Sequence, residues 1–377
     1  MKVVIAIDSL KGSLSSMEAG YAIEEGIRRG KPGAQVVVKP LADGGEGTTD
    51  ALVEGLGGER VDITVTGPLG KPVSTYYGYL PESKTAIIEM AQAAGIMLLT
   101  EQEKAPLRTT TYGVGEMIKD AILKGCRNFI IGIGGSATND GGIGMLKALG
   151  FQFSDIDGKD VGEGGQALGR VYSIDSANQL KELANCHFRV ACDVNNPLCG
   201  PNGATYIFGP QKGVTEKDKE KLDQAMKNYA LATAQTIGTD HQETPGAGAA
   251  GGLGFAFLSY LGGELVSGVS LILEAIDLKG ELKDADLVIT GEGCLDYQTA
   301  MGKAPIGVAQ LAKEVNENIK VIAFAGSVTN DANACNGAGV DAFFPIVRGV
   351  TTLKEAMEPQ NAKENMVATV EQVFRLL

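Results

Sequence analysis

Histidine occurs only twice in the chain, tryptophan not at all, and none of the six cysteines forms a CxxC pair. His187 and His241 lack a metal-ligand spacing, so a zinc hydrolase or a Ser-His-Asp mechanism has little to work with. Any general base must then be a carboxylate. The cysteines (Cys126, Cys186, Cys192, Cys199, Cys294 and Cys335) read as reduced thiols rather than a disulfide framework or a zinc site. Net charge is −13 and no dense Lys/Arg stripe stands out, which argues against nucleic acid and anionic membranes as partners. Long apolar runs are missing too. The run in MKVVIAIDSL comes too early and is too brief for a secretory signal. The uncharged stretch Gly246 to Gly263 carries seven glycines and few large aliphatics, so it reads as a buried glycine-rich turn with a helix. The expectation is a soluble, cytoplasmic protein acting on small molecules, as a monomer or homodimer.

Glycine, by contrast, is plentiful: 52 residues against 13 prolines in 377, spread between apolar runs rather than gathered in one tract. That distribution suits an α/β enzyme with many tight loops. Val3 to Ile7 reads as a strand ending at Asp8, and Ser15, Ser16 and Glu18 open a helix through about Arg29. Gln35 to Lys39 is a second strand and Glu46 to Leu56 a second helix. At the far end, strands at Asp286–Thr290, Lys320–Ala325 and Ala342–Ile346 alternate with helices at Pro305–Val315, Ala332–Ala338 and Asn361–Leu377. Neither end makes a comfortable domain alone, but together they supply about five strands. The fold class expected is α/β: a discontinuous Rossmann-like or flavodoxin-like parallel-sheet domain from residues 1–60 and 280–377. A second α/β domain, residues 61–279, is inserted in it. It begins as a hairpin around Gly67-Pro68-Leu69-Gly70, and continues with strands at Thr85–Met90, Asn128–Ile133 and Phe188–Cys192 and helices at Thr111–Leu123, Gly142–Leu149 and Lys217–Thr236.

Five charged or polar glycine loops carry the chemistry: Asp8-Ser9-Leu10-Lys11, Asp43 to Thr48, Gly132 to Gly144, Ala191 to Gly203 and Gly291 to Lys303. Most follow a strand, where open α/β sheets bind ligands. Glycine lets the main chain approach a phosphate, and N–H groups at a helix start cradle an anion. Carboxylates there suit Mg2+, and lysines suit phosphate oxygens. The strongest phosphate loop is Gly132 to Gly142, with five glycines among Ser136, Thr138, Asn139 and Asp140. It is neither a GxxxxGK(S/T) loop nor a GxGxxG loop. Asp43 and Glu46 have a good structural explanation as caps of the following helix, with function only modestly ahead, and Asp193 and Asn195 precede a turn at Asn196-Pro197. The five loops together point to phosphoryl transfer.

The blocks AIDSLKGSLSS, ADGGEGT, TTTYGVGE, GIGGSATNDGGIGMLKALG, ACDVNNPLCGPNGATYIFGPQKG and GAGAAGGLG, and the final GEG-x-LD-x-QT-x-x-GKAPIGVA, run through the whole chain in order. Together they resemble the type 1 glycerate kinase family, the glycerate 2-kinase class. The resemblance implies an ATP- and Mg2+-dependent kinase that phosphorylates glycerate, typically to 2-phosphoglycerate, with two α/β domains and the site in the cleft between them. Cys294 stands where the family usually has arginine, Tyr297 where a small polar residue is common, and Ala105 where asparagine is frequent.

Phosphoryl transfer needs a phosphate cradle, a metal, a cation and an oriented hydroxyl. The expected cradle is Gly134, Gly135, Ser136, Thr138 and Asn139. Lys11 and Lys303 would neutralise phosphoryl charge. Asp43, Glu46 or Glu292 would hold Mg2+, and Asp193 or Asp296 would orient the hydroxyl and accept its proton. Asp8, Ser9 and Asn195 are expected at substrate or phosphate, and Arg108 or Lys303 is the candidate to stand in for the arginine missing at 294.

Overall fold

A computed structural model describes all 377 residues. The N-terminal stretch forms β1 (Lys2–Ile7) and β2 (Gln35–Pro40). The middle forms β3 (Glu59–Thr66), β4 (Pro72–Leu80), β5 (Thr85–Glu89), β6 (Asn128–Gly132), β7 (Gln152–Ser154), β8 (Ser173–Asp175), β9 (His187–Ala191) and β10 (Glu264–Val266). The C-terminal stretch forms β11 (Leu287–Leu295), β12 (Lys320–Val328) and β13 (Ala342–Pro345).

Two compact units divide the chain. The first consists of Met1–Asp43, Asp50–Gly57 and Val269–Leu377. Its sheet runs β13-β12-β11-β1-β2, with every pair parallel. Counted within the unit this is the 2-1-3-4-5 winding of flavodoxin-like folds, whose switch point lies between β1 and β11. Val3, Val4, Ile5, Ala6 and Ile7 are all fully buried, as an apolar run in a parallel sheet covered on both faces must be. The helix Ser16–Gly30 starts at Ser15, whose side chain accepts from the Glu18 N–H while the Glu18 carboxylate accepts from the Ser15 N–H. Its apolar face packs with Met366, Val367, Val370 and Phe374 of the helix Pro359–Phe374 into one core.

The second unit consists of Gly44–Thr49 and Gly58–Gly268. Its sheet runs β10-β9-β6-β5-β4-β3, parallel from β10 to β5 and antiparallel from β5 to β3. The hairpin closes where the Gly67 N–H reaches the Lys71 carbonyl at 2.7 Å. The uncharged glycine-rich stretch is a 3-10 turn, Ala249–Gly251, leading into the helix Leu253–Tyr260. Its Phe255 and Phe257 lie against Tyr229 and Phe188. No helix is long and apolar enough to cross a membrane.

Two elements differ from expectation where it matters. The second helix begins at Thr48 rather than Glu46, because the buried Glu89 carboxylate takes the Thr49 N–H at 2.8 Å and the Gly47 N–H at 3.4 Å. Asp43 therefore lies too far ahead to cap it. And β11 continues to Leu295, so Glu292 and Cys294 are strand residues rather than loop residues. The pairs Glu292↔Ala325 and Cys294↔Ser327 keep that strand in the sheet. The short strands β7, β8 and β10 were not foreseen.

Candidate active site

In the first unit, the carboxyl ends of β1, β11 and β12 open onto a cavity of about 460 Å3. Asp8, Ser9, Lys11, Asp43, Glu292, Asp296 and Lys303 all line it, so most of the charged candidates read from the sequence share one space. Asp8 ends β1 and is only 8% exposed. One of its oxygens accepts the Ser9 N–H at 2.7 Å. Burial and the negative charge of Asp43 push its pKa up to about 7, against the opposing pull of the Ser9 N–H and Lys11. The Lys11 ammonium lies 4.0 Å from Asp43.

Opposite in sequence but in the same cavity, the Lys303 ammonium lies 3.7 Å from Asp296 and 4.0 Å from Glu292. Lys303 immediately precedes the helix Ala304–Val315, which carries proline in its first turn. Thr299 ties the two acids together: its hydroxyl donates to Glu292, and its N–H donates to Asp296 at 2.9 Å. Burial raises the Glu292 pKa above the usual carboxylate range, partly offset by Thr299 and Lys303. Burial also pushes Asp296 upward, but the Thr299 N–H and Lys303 outweigh it and leave its pKa below the ordinary value. Ser13, absent from the sequence reading, also lines the cavity, and its buried hydroxyl has no protein partner. One side of the cavity is apolar, formed by Ile346, Val347, Leu353 and Met357.

No three His, Cys, Asp or Glu side chains converge as a closed metal cage. Mg2+ is commonly held by one or two carboxylates, with waters and phosphate oxygens completing its shell. Asp43 and Glu292, both on the cavity wall, are a donor set of that kind. Glu46 is exposed in its turn and does not line the cavity.

The remaining candidates belong to the second unit. The loop after β6 exposes Gly134 and Gly135, half-covers nothing else, and buries Ser136, Thr138 and Asn139. Asn139 donates to the Thr205 hydroxyl at 3.0 Å. Asp140, fully buried, accepts from the Thr111 N–H and hydroxyl, both at 2.8 Å, and from the N–H groups of Gly142 and Gly144. It is the internal staple that shapes the turn. Beneath the loop lies Lys212, which the sequence reading missed: its ammonium donates to the Ser136 hydroxyl at 2.7 Å and to the Thr138 carbonyl at 2.8 Å. Asp193 and Asn195 are exposed after β9, with Asp193 accepting the Gly268 N–H at 2.9 Å. Arg108 is exposed.

The comparisons with known proteins agree with this chemistry. The model of the Glycerate kinase family matches residues 3–377. A glycerate kinase of Bacillus subtilis (strain 168) is 48% identical over 373 residues, covering 99% of this chain and 97% of the relative. A glycerate 2-kinase of Escherichia coli (strain K12) is 45% identical, covering 98% of each chain. A crystal structure from Salmonella typhimurium LT2, provisionally named glycerate kinase 2, superposes with a TM-score of 0.92 at 46% identity, covering 100% of this chain and 98% of that one. With a matching family model along nearly its whole length and relatives this similar, the chain belongs to the glycerate kinase family and is a kinase.

Proposed function

We propose that the protein transfers the terminal phosphoryl group of ATP to D-glycerate, giving 2-phosphoglycerate and ADP. The observation that carries this reading is the cavity at the switch point of the first unit, where two lysines and four carboxylates meet in a chain of this family. The expected cradle for the donor phosphates is the loop of the second unit, with Gly134 and Gly135 at its exposed tip and Ser136 beside them. Thr138 and Asn139, fully buried, hold that tip from below. Asp193, Asn195 and Arg108 are exposed polar groups of the same unit and are assigned to orienting the donor or acceptor.

Within the cavity, Lys11 and Lys303 supply positive charge for the phosphoryl oxygens, and the Ser9 and Ser13 hydroxyls are available to the acceptor. As the acceptor oxygen bonds to phosphorus, the bond to the ADP leaving oxygen breaks, and the hydroxyl proton must go to a base. Asp8 suits that role better than Asp296 or Asp193. Its carboxyl titrates near neutrality, where general bases work best. Asp296 is held in its charged form by Thr299 and Lys303, which makes it a weaker base and a better orienting group. A bound Mg2+, held by Asp43 and Glu292, would supply charge neutralisation for the phosphates. All six cysteines are free thiols, in keeping with a reducing cytoplasmic setting.

The test is to mix the protein with ATP, Mg2+ and D-glycerate, follow ADP, and identify the product by phosphorus NMR. Glycerate-dependent ADP with the 2-isomer supports the reading. The 3-isomer would overturn the regiochemistry, and absence of turnover would overturn the acceptor. A second reading is favoured by the apolar wall of Ile346, Val347, Leu353 and Met357, which a three-carbon acid does not need, and by Cys294 on the cavity's edge. A longer hydroxy acid could be an acceptor as well, and a substrate panel with extended analogues tests it.

A further inference from the structure

We propose that Lys212 is a positioning residue of the kinase: a buried positive charge that props the Gly134–Ser136 tip and sets the affinity for the donor's phosphates. The proposal rests on the reading of that loop as the phosphate cradle, and three observations carry it.

The first is location. Lys212 is 1% exposed, yet it sits in a 3-10 turn, Pro210–Lys212, rather than inside a charged network. Isolated ammonium groups are costly to bury, and they are found inside proteins when something holds them there. Here the holders are both on the loop: the Ser136 hydroxyl at 2.7 Å and the Thr138 carbonyl at 2.8 Å. An ammonium has three protons to donate, and the two neutral oxygens satisfy two of them.

The second is charge. No carboxylate forms an ion pair with Lys212. The acid it feels is Asp140, whose oxygens are already committed to four donors from Thr111, Gly142 and Gly144. Burial pulls the lysine's pKa down to about 7, with Asp140 only partly offsetting it, so a further anion nearby would hold the amine in its charged form. An anion on the exposed glycine tip would be that charge, acting on an ammonium that is itself out of solvent.

The third is mechanical. The segment carrying Lys212 is fastened to the same loop at a separate point, the 3.0 Å hydrogen bond from Asn139 to Thr205. Next to these contacts the Thr138 hydroxyl and the Asn139 carbonyl oxygen, Oδ1, are buried without a partner. The loop is thus clamped from beneath at Ser136, Thr138 and Asn139, while Gly134 and Gly135 stay open above.

The experiment compares Lys212→Met and Lys212→Gln with the wild-type enzyme. The readouts are KM for ATP, KM for D-glycerate, kcat, the inhibition constant of inorganic tripolyphosphate, and Tm. Removing a charged partner of a phosphate site should raise KM for ATP and the tripolyphosphate constant about tenfold or more. KM for D-glycerate should stay within about twofold, and the loss in KM for ATP should exceed any fall in kcat. Glutamine keeps a hydrogen-bonding head but no charge, so it should recover Tm without recovering ATP affinity. Unchanged constants for ATP and tripolyphosphate would overturn the proposal, as would an equal rise in both KM values. Recovery of ATP affinity by glutamine would overturn the role of charge. Should neither variant fold, Ser136→Ala removes one of the two acceptors, and a KM for ATP unchanged there would sink the proposal too. Gly135 has a backbone φ of +71°, so Gly135→Val strains the tip without touching Lys212. If Gly135→Val leaves ATP binding intact, the cradle reading falls and the proposal with it. If Gly135→Val weakens ATP while the Lys212 variants do not, the cradle stands and only the role of Lys212 is lost.

Discussion

Asp8 illustrates how one residue can serve function at the expense of stability. It sits at the end of a fully buried strand, beside the negative charge of Asp43, and its carboxyl titrates at about 7 instead of the ordinary 3.8. A folded-state pKa above the unfolded value means that the folded protein holds this proton more tightly. The stability this contributes is complete below the ordinary value and is lost as pH rises through about 7. Asp8→Asn removes the titrating group while keeping nearly the same shape. Calorimetry should therefore find the variant's Tm above that of the wild type at pH 8, with the gain shrinking as pH falls toward 4. If Asp8 also takes the hydroxyl proton, kcat should drop by about a hundredfold or more. A variant with full turnover would return the base to Asp296 or Asp193. The charge state of Asp8 could not be foreseen from AIDSLKG, because burial and the approach of Asp43 are products of the fold. What the sequence did reveal was that a carboxylate would stand at this strand end.

At the scale of elements, legibility followed periodicity and punctuation. The buried run Val3–Ile7 announced β1, and Ser15 with Glu18 announced the start of the helix Ser16–Gly30. Gly67-Pro68-Leu69-Gly70 announced the turn between β3 and β4. The end of β11 was hidden for the same reason: glycines at 291 and 293 read as a loop, yet the strand passes through both. Gly291 is there because β12 comes close, since a Cβ on it would stand 1.8 Å from the Phe324 carbonyl oxygen. That close approach keeps Glu292 at the carboxyl end of the sheet, on the cavity and next to Thr299 and Lys303. Gly291→Ala should cost about 3 kcal/mol or more by forcing β11 from β12, read as a lower midpoint in urea. Its kcat should fall with it, because Glu292 moves; a variant of unchanged stability and activity would show that the strand pair yields easily. The strands β7, β8 and β10 escaped notice because three residues are too few for an alternating pattern to show. Lys212 escaped because a lysine between glutamine and glycine looks like any surface turn, and only its burial sets it apart.

The chain builds two units from one interrupted sequence. One hydrophobic cluster of the first unit draws on residues from Val3 to Val38 and again from Leu287 to Phe374; the cluster of the second unit draws only on residues between Val61 and Leu265. The first unit therefore depends on contacts between opposite ends of the chain. Its β1 is hydrogen-bonded to β11, and its helix Ser16–Gly30 is covered by the helix Pro359–Phe374. The second unit has no such dependence, since β3 to β10 and the segment that satisfies Glu89 all lie within residues 44–268. A fragment of residues 44–268 should accordingly unfold cooperatively and protect the amides of β5, β6 and β9 from exchange. A fragment of residues 1–57 should show neither property, because β1 and β2 lose the strand beside them and the helix above. If the glycine loop is the phosphate cradle, the 44–268 fragment should also bind inorganic tripolyphosphate, though it lacks Lys11, Glu292 and Lys303 and should have no kinase activity. A 44–268 fragment without a cooperative transition would mean that the inserted unit borrows its stability from the rest of the chain. A folded fragment blind to tripolyphosphate would instead move the phosphate site to the lysines of the first unit.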